Sequence, residues 1–175
     1  IEPAGTALLH DLSLRRTLSA AELHGLLLLQ GALRAGQFVV ADPECGDVTL
    51  AVRESDCEIR FTGTAEAPRF EISLQIVGEI SAVSGSRYHI GSETFPRLEK
   101  ALAAQACEAV EAYLSAAVYA ASCDAAGFGG AVLRDAPDVW RAVSADWASV
   151  LPDSVFDMNV QAAIERVEEE DTPYL

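Results

Sequence analysis

Basic residues are scarce in this chain. Its 175 residues include 12 lysines and arginines against 27 aspartates and glutamates, a formal net charge of −15. Neutralising phosphates needs a basic surface, so this balance argues against nucleic-acid binding and against direct docking on an anionic bilayer. It fits solubility and a cationic partner, and it says nothing about fold. Long apolar runs are also missing. Leu26–Leu29 is closed at once by Gln30 and Gly31, and no stretch approaches the ~20 residues that span a bilayer. The four cysteines, Cys45, Cys57, Cys107 and Cys123, are separated by 12, 50 and 16 residues, so there is no C-x-x-C pair. His10, His24 and His89 are scattered. Neither pattern has zinc-ligand spacing, and neither a metal nor a cofactor is expected.

Nucleophile motifs are absent too. Ser84 and Ser86 lie near His89 in sequence, but no G-x-S-x-G elbow surrounds them. The segment 84–89 reads as a polar loop. Asp47, Glu54 and Asp56 are explained by one strand face and a bulge, and His24 by a place on a capped helix. No catalytic residue is expected.

What is present is enough for one domain over residues 1–175. Half the residues are apolar, which supports a real core and argues against disorder. The chain starts at Ile1 rather than methionine, with no basic stretch and apolar run before the folded pattern. It therefore reads as a piece of a longer protein, with no signal peptide within it.

Short strands are expected at 5–10 and 14–18, joined by a turn at Asp11–Ser13. Ser19-Ala20-Ala21-Glu22 has the S-x-x-E form of a capping box and predicts a helix from Ala20 to about Gln30, stopped at Gly31. A strand at 37–41 ends at Asp42-Pro43-Glu44. Val48, Leu50 and Val52 share one strand parity, whereas Cys57, Ile59 and Phe61 share the other. The change of parity requires a bulge or a break near Glu54–Asp56. Phe70, Ile72, Leu74, Ile76, Ile80 and Ala82 make one long strand, with a bend at Gly78.

Residues 92–123 read as a helix, with Pro96 tolerated in its first turn. Leu98, Leu102, Ala106, Val110, Leu114 and Val118 form its i, i+4 stripe, and Glu108 and Glu111 its wet side. Cys107 and Cys123 would then lie about 24 Å apart along the axis, too far for a disulfide. Four free thiols are expected, with Cys45–Cys57 the first pair to examine otherwise. A second helix opens at Pro137-Asp138 and sets Trp140, Val143, Trp147 and Val150 on one face, where the tryptophans fill the core or line a groove. Phe156 to Ile164 alternates as a one-sided last strand. The order β-β-α-β-β-β-α-α-β makes the fold class α+β: a mainly antiparallel sheet with helices packed on one face.

Between the two helical regions stands Asp124-Ala125-Ala126-Gly127-Phe128-Gly129-Gly130. It follows a helix, not a strand, and offers no lysine, serine or threonine to a phosphate, so it is a helix-to-helix corner. Phe128 should fold inward as an anchor. Gly127 or Gly129 should hold a positive φ or sit where a Cβ would strike a neighbour. Asp124 should cap nearby N–H groups, and Asp124→Asn should then be mild. The structural or contact candidates are thus Asp124, Gly127, Phe128, Gly129, Trp140 and Trp147.

Several segments together resemble the C-terminal domain of the Ger(x)C family, the lipoprotein C subunits of spore nutrient germinant receptors. They are Gly5-Thr6-Ala7-Leu8-Leu9, Leu18-Ser19-Ala20-Ala21-Glu22, Gly25 to Gly31, Pro68 to Ile72 with Gly78-Glu79-Ile80, Cys123 to Gly129, Pro137 to Trp140, and Asp146-Trp147. The resemblance covers about Gly5 to Glu168. Departures are Ala125 and Ala126 in place of larger apolar residues, and Val118 and Ala121 where a glutamine and a tyrosine are usual. The resemblance implies a non-catalytic interaction domain without cofactors. Its parent would be lipid-anchored on the outer face of the spore inner membrane, with the anchor outside this chain. Partners would be the receptor's integral membrane subunits and other germination proteins, and not nucleic acid. The alternative is a nutrient-binding domain with a small-molecule pocket near the Trp140/Trp147 helix.

Overall fold

The computed structural model describes residues 6–10, 13–84 and 93–165. The expected loop residues Ser86 and His89, the turn residues Asp11 and Leu12, Gly5 and Ser92 lie outside them. Strands β1 (Thr6–His10) and β2 (Ser13–Leu18) form a separate antiparallel ribbon. Helix α1 (Ala20–Leu29) follows, then β3 (Gln37–Asp42), β4 (Gly46–Phe61) and β5 (Arg69–Val83). Helix α2 (Thr94–Tyr113) leads to α3 (Phe128–Asp135), α4 (Pro137–Val143), α5 (Trp147–Val150) and the last strand β6 (Val155–Ile164).

The class is α+β, as expected. The large sheet, however, is mixed. Its order is β3-β4-β5-β6, antiparallel at the first two junctions and parallel between β5 and β6. The helical run from α2 to α5 carries the chain back to the start of β5, so β6 enters beside it in the same direction. The expected order needs one further correction. The tryptophan helix is broken by a 3₁₀ turn at Ser144–Asp146, which leaves α4 and α5 as separate short pieces.

The parity change in β4 is a bulge, and the strand runs on. Val52 pairs with Gly78 and Glu54 with Val77, so Arg53 is the extra residue. One extra residue inverts the faces. Val48, Leu50, Val52 and Phe61 are buried on the helix side, and Cys57 and Ile59 pack there too. Phe70, Ile72, Leu74 and Ile76 of β5 lie fully inside beside them. On the other face of the sheet Glu58, Arg60, Glu71 and Asp157 are exposed.

At the start of α1 the capping box is complete. The Ser19 hydroxyl accepts the Glu22 N–H at 3.3 Å, and the Glu22 carboxylate accepts the Ser19 N–H at 2.7 Å. All six members of the i, i+4 stripe from Leu98 to Val118 are buried. Such a stripe drifts by about 40° per step in a regular α-helix. The drift is offset at its end, where α2 widens into a π-helical turn at Leu114–Tyr119. The helix therefore stops before Cys123, short of the expected end. The Cys123 N–H bonds to the Ala117 carbonyl at 2.8 Å, and the Ser122 N–H to that of Val118 at 3.0 Å. The Ser122 bond is the αL closure of a helix C-terminus, with Ser122 at φ +50° where glycine is usual, and the Cys123 bond spans one residue more than the Schellman pattern, in keeping with the π-helical turn before it.

Candidate functional site

The corner after this closure is built on the Asp124 carboxylate. Its Oδ1 accepts the N–H of Gly127 at 2.9 Å and of Phe128 at 2.7 Å. Its Oδ2 accepts the N–H of Gly129 at 2.7 Å and the indole Nε1–H of Trp147 at 2.9 Å. A carboxylate offers about four lone-pair sites, so its acceptor capacity is filled. Three of the donors are the orphan amides at the start of α3, where a negative charge also meets the positive end of the helix dipole. The local spacing signalled this cap. Nothing in the sequence signalled the fourth donor, because Trp147 lies 23 residues away.

Both glycines flanking Phe128 are required, for different reasons. Gly127 has φ +87°, a conformation that costs other residues about 1–2 kcal/mol. Gly129 is a contact position. A Cβ there would lie 2.8 Å from Trp140 Cη2 and 3.1 Å from Trp147 Nε1.

Phe128 is fully buried, and its ring centroid lies 5.1 Å from Phe70 and 4.9 Å from Phe156. Phe70 and Phe156 are cross-strand partners, stacked at 5.4 Å. Phe128 thus joins the corner to the central and last strands. The Gln30 side chain, just past α1, donates to the Ala125 carbonyl at 2.9 Å and ties the corner from its other side. Burial pushes the Tyr113 phenol above its usual range, and the neighbouring Asp124 charge adds to this.

Trp140 and Trp147 are half-buried rather than largely buried, and both pack against the core, the Trp147 ring lying 6.5 Å from that of the fully buried Phe70. Their own rings meet edge to face at 5.4 Å. In an unbroken helix, seven residues would separate them by about 10 Å of rise. The 3₁₀ turn between α4 and α5 brings them together over Gly129. They form one wall of an open cleft of about 620 Å³. Residues 122–125 line it as well, and Ala7, Leu8 and Leu9 of β1 face them.

Among the described residues no group of three or more His, Cys, Asp or Glu side chains is placed to hold a metal ion. The four cysteines are unpaired. Sequence reasoning missed a second ionic cluster outside the corner. Asp42, 5% exposed, accepts the N–H groups of Glu44 at 2.9 Å and Cys45 at 3.1 Å. It also accepts Arg97 Nε at 2.9 Å. Arg97 holds the Asp42 carboxyl down to about 2, with the turn amides assisting.

A family model described as "Spore germination B3/GerAC like, C-terminal" matches residues 4–168. Among solved structures, "Crystal Structure of the GerBC protein" superposes with a TM-score of 0.80 at 18% identity. The match covers 93% of this chain and 50% of that one, so the chain spans about half the length of that structure. At this identity the likeness shows a shared fold. None of the curated proteins matches the chain. The resemblance read from the capping box, the central strand and the glycine corner is thus borne out: the chain belongs to the spore germination B3/GerAC-like family, over the region described as C-terminal.

Proposed function

We propose that this chain is a non-catalytic interaction domain of a germinant-receptor C subunit, acting in nutrient-triggered spore germination. The family match over residues 4–168 carries the reading. The parent would sit on the outer face of the spore inner membrane through a lipid anchor outside this chain. Among the described residues no helix is long and apolar enough to cross a membrane. Its partners are the integral membrane subunits of the receptor and other germination proteins.

A nutrient pocket beside Trp140 and Trp147 is the second reading, and the cleft of about 620 Å³ there favours it by size. Its chemistry favours it less. Among the described residues Asp124 is the one acidic side chain lining the cleft, and its four acceptor sites are occupied by the corner's own donors. A zwitterionic or polyhydroxylated nutrient would find little to anchor it.

Co-purification of the epitope-tagged full-length parent with its membrane subunits tests the first reading. The subunits should be retained in mild detergent and lost when this domain is deleted; retention without the domain overturns the reading. A thermal-shift screen with amino acids, sugars and nucleotides tests the second, because a ligand that binds only the folded state raises the Tm. No shift is expected.

A further inference from the structure

Among the described residues the large sheet ends at β3 on one side and at β6 on the other, and the two edges are built differently. β3 is six residues long, and the Gln105 side chain of α2 donates to its outward Val39 carbonyl at 2.7 Å. β6 is ten residues long and has no proline, lysine or register shift. Edge strands are usually guarded by such features, because an unpaired backbone recruits another strand. Three hydrogen bonds fix which way the β6 backbone points. The Val155 N–H bonds to the Pro68 carbonyl at 2.9 Å and the Glu165 N–H to that of Gly78 at 2.8 Å, so the odd-numbered residues face β5. The Ile164 N–H points the other way, to Glu99 Oε1 at 3.1 Å. Backbone direction alternates along a strand. The N–H and C=O groups of Phe156, Met158, Val160 and Ala162 therefore point out of the sheet, and no hydrogen bond among the described residues reaches them.

The side chains tell the same story. The β5 residues in register with these four, Phe70, Ile72, Leu74 and Ile76, are at most 1% exposed. The four of β6 pack on the core yet stay only half-buried. One more strand on the β6 side would cover them as β6 covers β5. On the opposite face Asp157, Asn159 and Gln161 are exposed, and Asp157 is held by Arg69 of β5 at 2.8 Å.

We propose that β6 pairs with β6 of a second copy of this chain, antiparallel about a two-fold axis, so that one sheet runs through both copies. The interface is isologous, and the strand complements itself. With the axis at Asn159, all four open residues are paired and the Glu99 cap on Ile164 stays in place. Phe156 then meets the partner's Ala162, and Met158 the partner's Val160, a larger side chain against a smaller one each time. On the open face Asp157 meets the partner's Gln161, and Asn159 its own counterpart, so no like charges are opposed. An axis at Asp157 would oppose like charges and shorten the ladder. β6 of a second copy is thus what the edge selects: a strand of equal length, apolar at alternate positions and uncharged opposite Asp157. The net charge of −15 on each copy opposes the contact at long range, and salt screens that repulsion. The receptor role proposed above neither requires nor excludes this dimer, and co-purification tests it separately.

Sedimentation equilibrium of the intact chain provides the test. The mass should rise with concentration from 18.6 kDa towards twice that value. Association should be tighter at physiological than at low salt. Amide exchange at Phe156, Met158, Val160 and Ala162 should slow as the dimer forms. Val160→Pro removes an outward N–H, spares the β5 ladder as an edge strand allows, and should weaken association roughly tenfold or more. Asn159→Lys and Asn159→Asp are changes at an exposed position. Each alone should be monomeric, because like charges meet at the axis, and the two mixed should form a heterodimer. Val39→Lys on β3 should leave the dimer intact. Three results overturn the proposal: a mass of 18.6 kDa at every concentration and salt, which would leave the edge to a strand of another protein; a dimer as tight in Val160→Pro as in wild type; or the two Asn159 variants associating no better mixed than apart.

Discussion

Asp42 and Asp124 each hold a chain reversal together with one carboxylate, but with opposite partners. Asp42 sits in the turn between β3 and β4 and takes two backbone amides and the guanidinium of Arg97. Arg97 also reaches Glu44 at 2.7 Å. Among the described residues no cation pairs with Asp124. It takes three amides at the start of α3 and one indole N–H. At Asp42 the tie combines a charge pair with the turn amides. At Asp124 the carboxylate meets fixed peptide dipoles and an indole, so the tie depends on the positions of Gly127, Gly129 and Trp147.

Removing the Asp124 acceptor should have the largest effect. Asp124→Ala leaves four donors without their partner, and each buried unpaired donor costs about 1–3 kcal/mol. Part of the corner is wet, so a loss of about 3–5 kcal/mol in urea unfolding is expected. Asp124→Asn sharpens the point. An amide retains one acceptor oxygen, but its NH₂ now faces two N–H donors. It should cost about 1–2 kcal/mol, more than a simple cap exchange. An unchanged midpoint for Asn would mean that the Trp147 and Gly129 bonds contribute nothing.

Next comes Gly127→Val. A Cβ there meets nothing within 4 Å, so the whole cost is the left-handed backbone. About 1–2 kcal/mol is expected. Gly127→Asn should cost less, since asparagine tolerates that conformation. Equal losses for Val and Asn would show that φ is not the cause.

The Asp42 tie should appear as a pH dependence that Asp124→Asn leaves in place. The Asp42 carboxyl is lowered from 3.8 to about 2 in the folded chain. Between those values the unfolded chain binds more protons. The stabilisation is therefore complete above pH 4 and is lost as pH falls through about 2. The shift corresponds to on the order of 2 kcal/mol. Because Arg97 is 38% exposed, solvent screening reduces the expected contribution to about 1–2 kcal/mol. Comparing unfolding free energies of wild type and Asp42→Asn from pH 2 to 6 checks this. Parallel curves would refute it.

The smallest effect concerns the thiols that border these two reversals, Cys45 and Cys123. Both are buried, and burial raises each above the ordinary thiol range. Cys57 is pushed to about 12 by burial, with Asp56 adding to it. A thiol titration at neutral pH should be slow on the folded chain and should reach four thiols on denaturation without reductant. Fewer than four would reveal a disulfide.

What was legible in the sequence was local. The capping box of α1, the strand alternation and the parity change in β4 span a few residues each, where backbone geometry alone dictates the pattern. The Asp124 cap and the glycines around Phe128 were readable for the same reason. The same locality misled at the tryptophans. Their spacing suits one continuous helix, and the 3₁₀ turn at Ser144–Asp146 that brings the rings together has no marker in the chain. Asp42 and Arg97 lie 55 residues apart, and Gln30 and Ala125 lie 95 apart. No spacing rule joins residues so distant.

The sequence by itself determined the class of the domain, most of its elements, the face of each that is buried, and the corner at Asp124, because these follow from side-chain period and backbone freedom over one or two turns. Only the tertiary structure decided that β6 runs parallel to β5, that Trp147 completes the Asp124 site, and that Trp140 and Trp147 share a cleft with Ala7, Leu8 and Leu9 of β1. Each of these depends on where the helical crossover sets the chain down again, and that is settled by packing among residues remote in sequence.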